Sequence, residues 1–499
     1  MHSTTLEEIQ GFKGKYPKQL YLLFFTEMWE RFTFYGNRAL LLLFMVNYLH
    51  FEDAKGNIIY GVYLSLIYAM PVLGGMLADK VLGQRRSILW GGALLAVGSF
   101  VMAIPVKESF FIGMGILIVG NGYFKPNIST IVGSLYKPGD TRRDGGFSLF
   151  YMGINVGVML GGFLCGWIGQ RYNWHAGFGL AGFFMIIGLA VFYKKQSVLG
   201  PIGLAPSEEY LRAKTSFGVS NEILVYILSL LAIPVFILIL NYYKIYSYLI
   251  NPFGIVALVY VIYTSAKLGK EAFSKLMVAL ILIVFSSLFW AFAEQGGGSL
   301  NLFAYRNVNM NLLGIDLPSA AINNSINGAL VVALSPVFAW LWIWLATRKK
   351  EPNAAVKFSL GLMQLGLGFY VFVIGARFAD NGMVSLLFFV LGYLFISSGE
   401  LCLSPIGLSA ITKLSPPRMV GLMMGMWFLA NSYGQYLAGL IGSLMAIPGT
   451  AATGKPMTAI ESLGIYTNIF IKIAMVSAGC GLVLLVLSPR LRKMMLDKK

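Results

Sequence analysis

Charge is what this sequence has least of. Charged residues make up 12% of the 499, only 21 of them acidic, and the mean hydropathy is +0.72. Soluble domains carry about 25% charged residues, so a soluble globular protein is excluded and an all-α polytopic membrane protein is expected. Cysteine and histidine number three each. Cys165, Cys402 and Cys480 all fall in apolar runs without metal-ligand spacing, which argues for small packing residues and against a disulfide framework or a metal site. His2, His50 and His175 lie in a tail or near helix ends, so an easy imidazole proton switch is missing as well. Met1 to Lys18 lacks the apolar core of a cleaved signal peptide. The net charge of +17 does not point to nucleic acid, because the bases sit in short loops between apolar runs.

What is abundant is glycine, 57 residues, and long apolar runs. Small residues let transmembrane helices approach closely, and Gly153, Gly157 and Gly161 keep the four-residue spacing of such a contact. Hydrophobic runs predict fourteen spanning helices. The first six are at 19–50, 58–82, 87–105, 109–136, 145–170 and 174–193. A hydrophilic connector at 194–221 leads to two further runs, 222–243 and 246–266. The last six are at 273–296, 318–346, 355–377, 383–412, 419–446 and 463–488. The layout is six, two, six, with an N-terminal bundle at 1–193, an inserted segment at 194–270 and a C-terminal bundle at 271–499. Of the 38 bases, 27 fall on the side of both termini. Seven lie opposite: Lys55, Lys107, Arg171, Lys244, Arg306, Arg377 and Lys455. That asymmetry places both termini in the cytoplasm. The other four, Arg31, Arg38, Lys125 and Lys472, lie inside apolar runs.

The first apolar run holds Glu27-Met-Trp-Glu30-Arg31-Phe32-Thr-Phe34-Tyr35-Gly-Asn-Arg38. At about 100° per residue, Glu27, Arg31, Phe34, Tyr35 and Arg38 share one stripe, with Glu30 at its edge. A charge near the bilayer centre costs roughly 2.5–3.5 kcal/mol on insertion scales. Four such charges are tolerable where they face a wet cavity and neutralise one another. The set is either a structural ion-pair cluster or a proton and solute site, and intramembrane ionisable residues commonly mark a transport path.

Other polar groups interrupt the apolar runs. Lys125 precedes Pro126, where the helical ladder can open, and it needs an anion unless it snorkels to the interface. Asn155 in the fifth run serves either an interhelical hydrogen bond or a ligand, and Tyr68 in the second is equally open. Acids come from the C-terminal half: Glu294 one turn after Trp290, and Glu400 ahead of Ser404-Pro405. Asn324, Asn327 and Trp427 complete the polar inventory. Bases on one wall and acids on the other would suit a zwitterion, with Arg gripping a carboxylate bidentately and Glu400 meeting an ammonium. A membrane-embedded enzyme would need a nucleophile–base pair or a metal cluster, and no such spacing occurs in the apolar runs.

Several loop and helix signatures carry a resemblance. Gly75-Met-Leu-Ala-Asp79-Lys80-Val-Leu-Gly83-Gln-Arg85-Arg86 resembles the loop motif of the major facilitator superfamily, where an acid and nearby bases can form a breakable interdomain latch. The E-x-x-E-R-F-x-Y-Y pattern of the proton-coupled oligopeptide transporters matches Glu27, Glu30, Arg31, Phe32 and Tyr35, with Phe34 replacing the first tyrosine. Their F-Y-x-x-I-N-x-G signature matches Phe150, Tyr151, Ile154, Asn155 and Gly157. The Lys-Pro-Asn at 125–127, Trp290 with Glu294, and Glu400 with Ser404-Pro405 also match, so the likeness spans essentially the whole chain.

The resemblance implies a major facilitator fold of the prokaryotic type and a proton-driven importer of di- and tripeptides, functional as a monomer in a bacterial cytoplasmic membrane. It implies no cofactor, no metal and no enzymatic role, with protons, peptides and membrane lipids as partners. Glu27, Glu30, Arg31 and Glu294 would handle protons. Peptide contacts would come from Arg31, Arg38, Tyr35, Tyr68, Lys125, Asn155, Asn327 and Glu400. Trp290, Ser404 and Trp427 would line side-chain pockets, and Arg38–Glu294 and Lys125–Glu400 would form gate salt bridges. Asn324 stands where the family has Gln. The rival on the same scaffold is a carrier of nitrate or a drug-like amine; a channel is the rival outside it.

Overall fold

A computed structural model describes residues 5–137, 140, 142–416, 419–447 and 457–495. His2 and Lys455, weighed above, lie outside the described residues. Fourteen helices of nineteen residues or more are present among the described residues. They are α1 Lys18–Asn47, α2 Asp53–Leu77, α3 Gln84–Met102, α4 Lys107–Ser134, α5 Arg143–Arg171, α6 Trp174–Lys195 and α7 Asn221–Asn241. The rest are α8 Tyr246–Ala266, α9 Lys270–Ala293, α10 Ser319–Thr347, α11 Ala354–Arg377, α12 Leu386–Leu414, α13 Val420–Leu444 and α14 Ala459–Met495. The expected runs agree to within five residues at every boundary but the last, where α14 continues seven residues further.

Several starts carry a side-chain cap. Asn173, Ser220, Asn353 and Ser385 each accept from a backbone N–H in the first turn of α6, α7, α11 and α12. Proline inside a helix does not end it here. Pro126 lies within α4, which continues past it to Ser134, and the Asn127 side chain donates to the Tyr123 carbonyl at 2.7 Å. Short elements were not visible as apolar runs: a five-residue helix at Glu208–Arg212 in the connector and a nine-residue helix at Ser299–Asn307 after α9. Two-residue strands at 308–309 and 384–385 pair in parallel, and those at 311–312 and 315–316 pair antiparallel.

By its internal contacts the chain divides into two compact units. Unit 1 comprises Met1–Leu41, Leu66–Tyr242 and Ala320–Gly328, and unit 2 comprises Leu42–Ser65, Tyr243–Ser319 and Ala329–Lys499. In unit 1, α1 is clamped on two faces. The glycine stripe of α5 closes on one: a Cβ at Gly153 would stand 2.8 Å from the Phe24 ring, at Gly157 2.3 Å from the Met28 carbonyl, and at Gly161 2.3 Å from the Phe32 carbonyl. The stripe is packing, as its spacing suggests. On the other face, Trp29 stacks on Phe184 of α6 at 4.4 Å, and Thr33 donates to the Ala181 carbonyl at 2.9 Å.

Unit 1 also absorbs the Asp79–Arg86 loop. Gly83 adopts φ +75°, and a Cβ there would meet the backbone of Leu204 and Ala205 at 2.5 Å, so only glycine lets the connector lie this close. Arg85 donates to the carbonyls of Gly200 and Ile202, while Arg86 pairs with Glu208 at 2.8 Å and Glu222 at 3.3 Å. Asp79 accepts from Gln84 at 2.9 Å. In its described contacts this segment clasps the connector. Those carbonyls and acids satisfy both guanidinium groups.

Unit 2 is built on aromatic packing. Phe303, Phe369, Phe372, Phe389, Tyr466 and Phe470 form a run of edge and tilted contacts between the short helix at Ser299–Asn307, α11, α12 and α14. Beside it, Arg306 grips both oxygens of Asp53, which is 4% exposed and also accepts from the Ile447 N–H at 3.2 Å.

Candidate functional site

Unit 1 assembles the acid–base set around α1. Glu27, Glu30 and Arg31 are 3%, 0% and 4% exposed. One turn of helix separates Glu27 from Arg31, so the Arg31 Nε reaches Glu27 Oε1 at 2.7 Å. The same nitrogen lies 2.6 Å from Glu30 Oε2. One guanidinium thus faces two carboxylates, hydrogen-bonded to Glu27 and ion-paired with Glu30, and Arg31 Nη2, Glu27 Oε2 and Glu30 Oε2 have no hydrogen-bond partner among the described residues. A buried N–H left without an acceptor is costly, which marks this nitrogen as a place for an anion. Close approach of Gly157 to the Arg31 Cβ, 2.8 Å for an added Cβ, holds the base in this position.

Phe34 has its own part. It is 6% exposed, edge-on to Tyr35 at 5.0 Å, with the Arg31 guanidinium 5.8 Å from its ring centroid. The missing hydroxyl leaves a purely apolar face beside Arg31. Arg38 lies over the ring of Tyr35 at 5.4 Å, and Lys125 over that of Tyr68 at 3.9 Å. Lys125 also acts electrostatically on Glu30. Tyr68 therefore supplies a π-face to the α4 lysine, which settles one use of a residue whose role was open. Asn155 donates to the Tyr151 carbonyl of its own helix at 2.9 Å, neither of the two bonds weighed for it. Such i−4 bonding is a local alternative for a short amide side chain. Asn324 bonds likewise to the Ala320 carbonyl at 3.0 Å. Asn324 and Asn327 fall in the stretch of α10 that belongs to unit 1, although the sequence places them in the C-terminal half.

Unit 2 holds Trp290, Glu294, Glu400, Ser404 and Trp427. Glu294 opens the tight turn that ends α9 and is 6% exposed. Trp290 stands one turn earlier, its Cβ pressed against Gly434 of α13 and its indole Nε1 without a hydrogen-bond partner among the described residues. Glu400 and Ser404 sit half-buried on α12 around Pro405. Trp427 is 3% exposed and covers Gly407, where an added Cβ would come within 2.2 Å of its ring. The two sets belong to different units.

Sequence reasoning missed two residues here. Asn121 of α4 is 1% exposed and donates to Glu30 Oε1 at 3.3 Å. Its signal was an amide between two glycines in an apolar run. Arg306 was counted as a loop base, yet it is paired with the acid at the start of α2. Only the fold brings residues that far apart in sequence together.

Comparisons with known proteins agree with this architecture. The family model described as the POT family, PTR2, matches residues 85–457. The chain is 35% identical over 507 residues to the peptide transporter YePEPT of Yersinia enterocolitica, covering 96% of this chain and 95% of that one. It is 32% identical over 481 residues to dipeptide and tripeptide permease B of Salmonella typhimurium, covering 96% of each. A crystal structure of a mutant peptide transporter POT in complex with alafosfalin superposes with a TM-score of 0.83 at 34% identity, covering 99% of this chain and 100% of that one. The fold is that of the major facilitator superfamily. With motifs, family match and relatives all spanning most of its length, the chain belongs to the POT family of peptide transporters.

Proposed function

We propose that the protein imports di- and tripeptides together with protons by alternating access. The observation that carries this reading is the single buried guanidinium of Arg31 shared by Glu27 and Glu30, with Nη2 left over. With both acids ionised the three side chains carry a net negative charge, which repels a peptide carboxylate. A proton on Glu30 leaves Glu27 and Arg31 balanced, and Nη2 then offers a donor to the incoming carboxylate. Arg38, Tyr35, Tyr68, Lys125, Asn155 and Asn327 provide further contacts, Glu400 receives the peptide ammonium, and Trp290, Ser404 and Trp427 shape side-chain pockets. Arg38 with Glu294, and Lys125 with Glu400, act as the two alternating gates. The bundles are 1–193 and 271–499, with the segment 194–270 inserted between them. Protons are the only driving partner and no cofactor takes part. The protein works as a monomer in a bacterial cytoplasmic membrane, with both termini in the cytoplasm. The names of its relatives as peptide transporters and permeases support the substrate class.

The test is uptake of labelled dialanine into proteoliposomes, with and without an inward proton gradient, competed by unlabelled tripeptide. Gradient-dependent accumulation that the tripeptide suppresses is expected, and Glu30→Gln should lose accumulation against a gradient. Continued accumulation by Glu30→Gln would remove Glu30 from the coupling role. No uptake by well-folded protein would move the assignment to another solute.

A further inference from the structure

We propose that Asn121 is a positioning residue for the carboxylate of Glu30, its side-chain amide serving both protonation states of that acid. This rests on the reading that Glu30 carries the transported proton. The Asn121 Nδ2 donates to Glu30 Oε1 at 3.3 Å, and the Asn121 Oδ1, equally buried, has no hydrogen-bond partner among the described residues. A carboxylate accepts only, whereas a protonated carboxyl also donates. An amide carries a donor and an acceptor on one short stem. In the observed orientation it serves ionised Glu30, and turned over it offers Oδ1 to the O–H of protonated Glu30. A buried acceptor without a partner is what such a second state requires.

The backbone around Asn121 is fixed on both sides. A Cβ at Gly120 would stand 2.9 Å from the Gly91 carbonyl of α3. One at Gly122 would stand 2.9 Å from the Met70 Cβ of α2, whose Gly74 in turn abuts the Gly122 carbonyl. The two glycines seat α4 against α2 and α3, which sets where the amide between them points. The charged groups acting on Glu30 are Glu27 and Arg31 from its own helix and Lys125 from α4. Asn121 is the neutral member of that circle and the one that can reverse its polarity without moving a charge.

Removing the amide has a direction. Hydrogen bonds to an ionised group are about twice as strong as neutral ones, so ionised Glu30 loses more than protonated Glu30 does. The protonated form then persists to higher pH, by about tenfold in proton concentration, or one pH unit. The experiment uses the full-length protein with Asn121→Leu, which keeps the branched shape of the side chain but is bulkier, and Asn121→Ala as a second variant should the leucine fail to fold. Two readouts are taken against pH: gradient-driven dialanine uptake, and carbodiimide labelling of Glu30 located by peptide mass spectrometry. Carbodiimide attacks the protonated carboxyl, so labelling reports on Glu30 whether or not transport survives. Both midpoints are expected to rise by about one pH unit. A fall in amplitude with unmoved midpoints would be a packing effect and would overturn the proposal. Accumulation by Glu30→Gln would instead refute the reading beneath it, which the labelling midpoint of Asn121→Leu reports separately.

Discussion

Substituting Gly157 by alanine tests whether packing of α5 on α1 sets the position of Arg31. The new Cβ would stand 2.3 Å from the Met28 carbonyl oxygen, 2.8 Å from the Arg31 Cβ and 3.1 Å from the Phe32 nitrogen. Ordinary contact begins at 3.4 Å, so 3.4 − 2.3, or 1.1 Å, must be opened between the two helices. The neighbours are mostly backbone and cannot rotate away. Nor can α1 retreat freely, since Gly188 closes on Trp29 and Thr33 is bonded to Ala181 on its far side. Overpacking of this kind costs about 1–3 kcal/mol. A displacement of about 1 Å would carry Arg31, together with Glu27 and Glu30 on the same helix, relative to Asn121 of α4, and such misplacement costs about a hundredfold in rate. Gradient-driven dialanine uptake by Gly157→Ala should fall by about that factor in protein that still extracts as a folded monodisperse species. Gly421→Ala, with nothing within 4 Å of the new Cβ, is the control and should transport normally. Uptake by Gly157→Ala within about twofold of the parent would refute the argument that this contact positions the base.

Other expectations follow from the same contacts. Arg306→Ala leaves buried Asp53 without its guanidinium and should cost about 3–5 kcal/mol in detergent unfolding, with Asp53→Asn added on top recovering part of the loss. An unchanged unfolding midpoint in Arg306→Ala would show the pair to be solvated. Gly407→Ala should push the Trp427 indole aside and change the preference between bulky and small dipeptides more than the uptake of dialanine itself. In the connector, the hydrogen bond from Arg86 holds the Glu208 carboxyl below its usual range. Its contribution to docking the connector is therefore complete above the ordinary carboxylate value of about 4.3 and is lost as pH falls through the lower folded value. Limited proteolysis of the connector should rise across that acidic window, and Arg86→Ala should show the same cleavage already at neutral pH.

The helices were legible because long apolar runs leave little choice in a bilayer, and loops rich in bases delimit them. The acid–base set of α1 was legible for the same reason: Glu27, Glu30 and Arg31 are expensive where they stand. What could not be read was pairing across the fold. Arg306 looks like any loop base until Asp53, at the start of α2, is placed beside it. Arg85 and Arg86 look like partners for a distant domain until the connector folds back onto them. Asn155 shows a local bond that the sequence reading did not weigh. An amide in an apolar helix suggests a distant partner, but the carbonyl one turn back is always within reach. Asn121 carries no charge to mark it in an apolar run.

The arrangement around Arg31 also explains why proton and peptide would travel together rather than in sequence. Two charges 4 Å apart interact by about 4 kcal/mol at an effective dielectric of 20, so a peptide carboxylate near Arg31 meets a strong field from whichever acids are ionised. Glu27 cannot be spared, because it accepts the hydrogen bond of Nε at 2.7 Å, whereas Glu30 Oε2 lies near the same nitrogen without accepting one. Glu30, 0% exposed and bonded to an amide that accepts either protonation state, can. In the proposed reading a proton on Glu30 raises affinity for the carboxylate, and by linkage the carboxylate raises affinity for the proton by the same factor. Neither ligand needs to be recognised by a separate device: both compete for, or complete, the hydrogen bonds of a single guanidinium. In the proposed reading, a site built this way favours solutes that carry a carboxylate over those that lack one, by the same count of charges that couples it to the proton. The motif of two acids and one arginine on α1 would then be a specificity element as much as a coupling one.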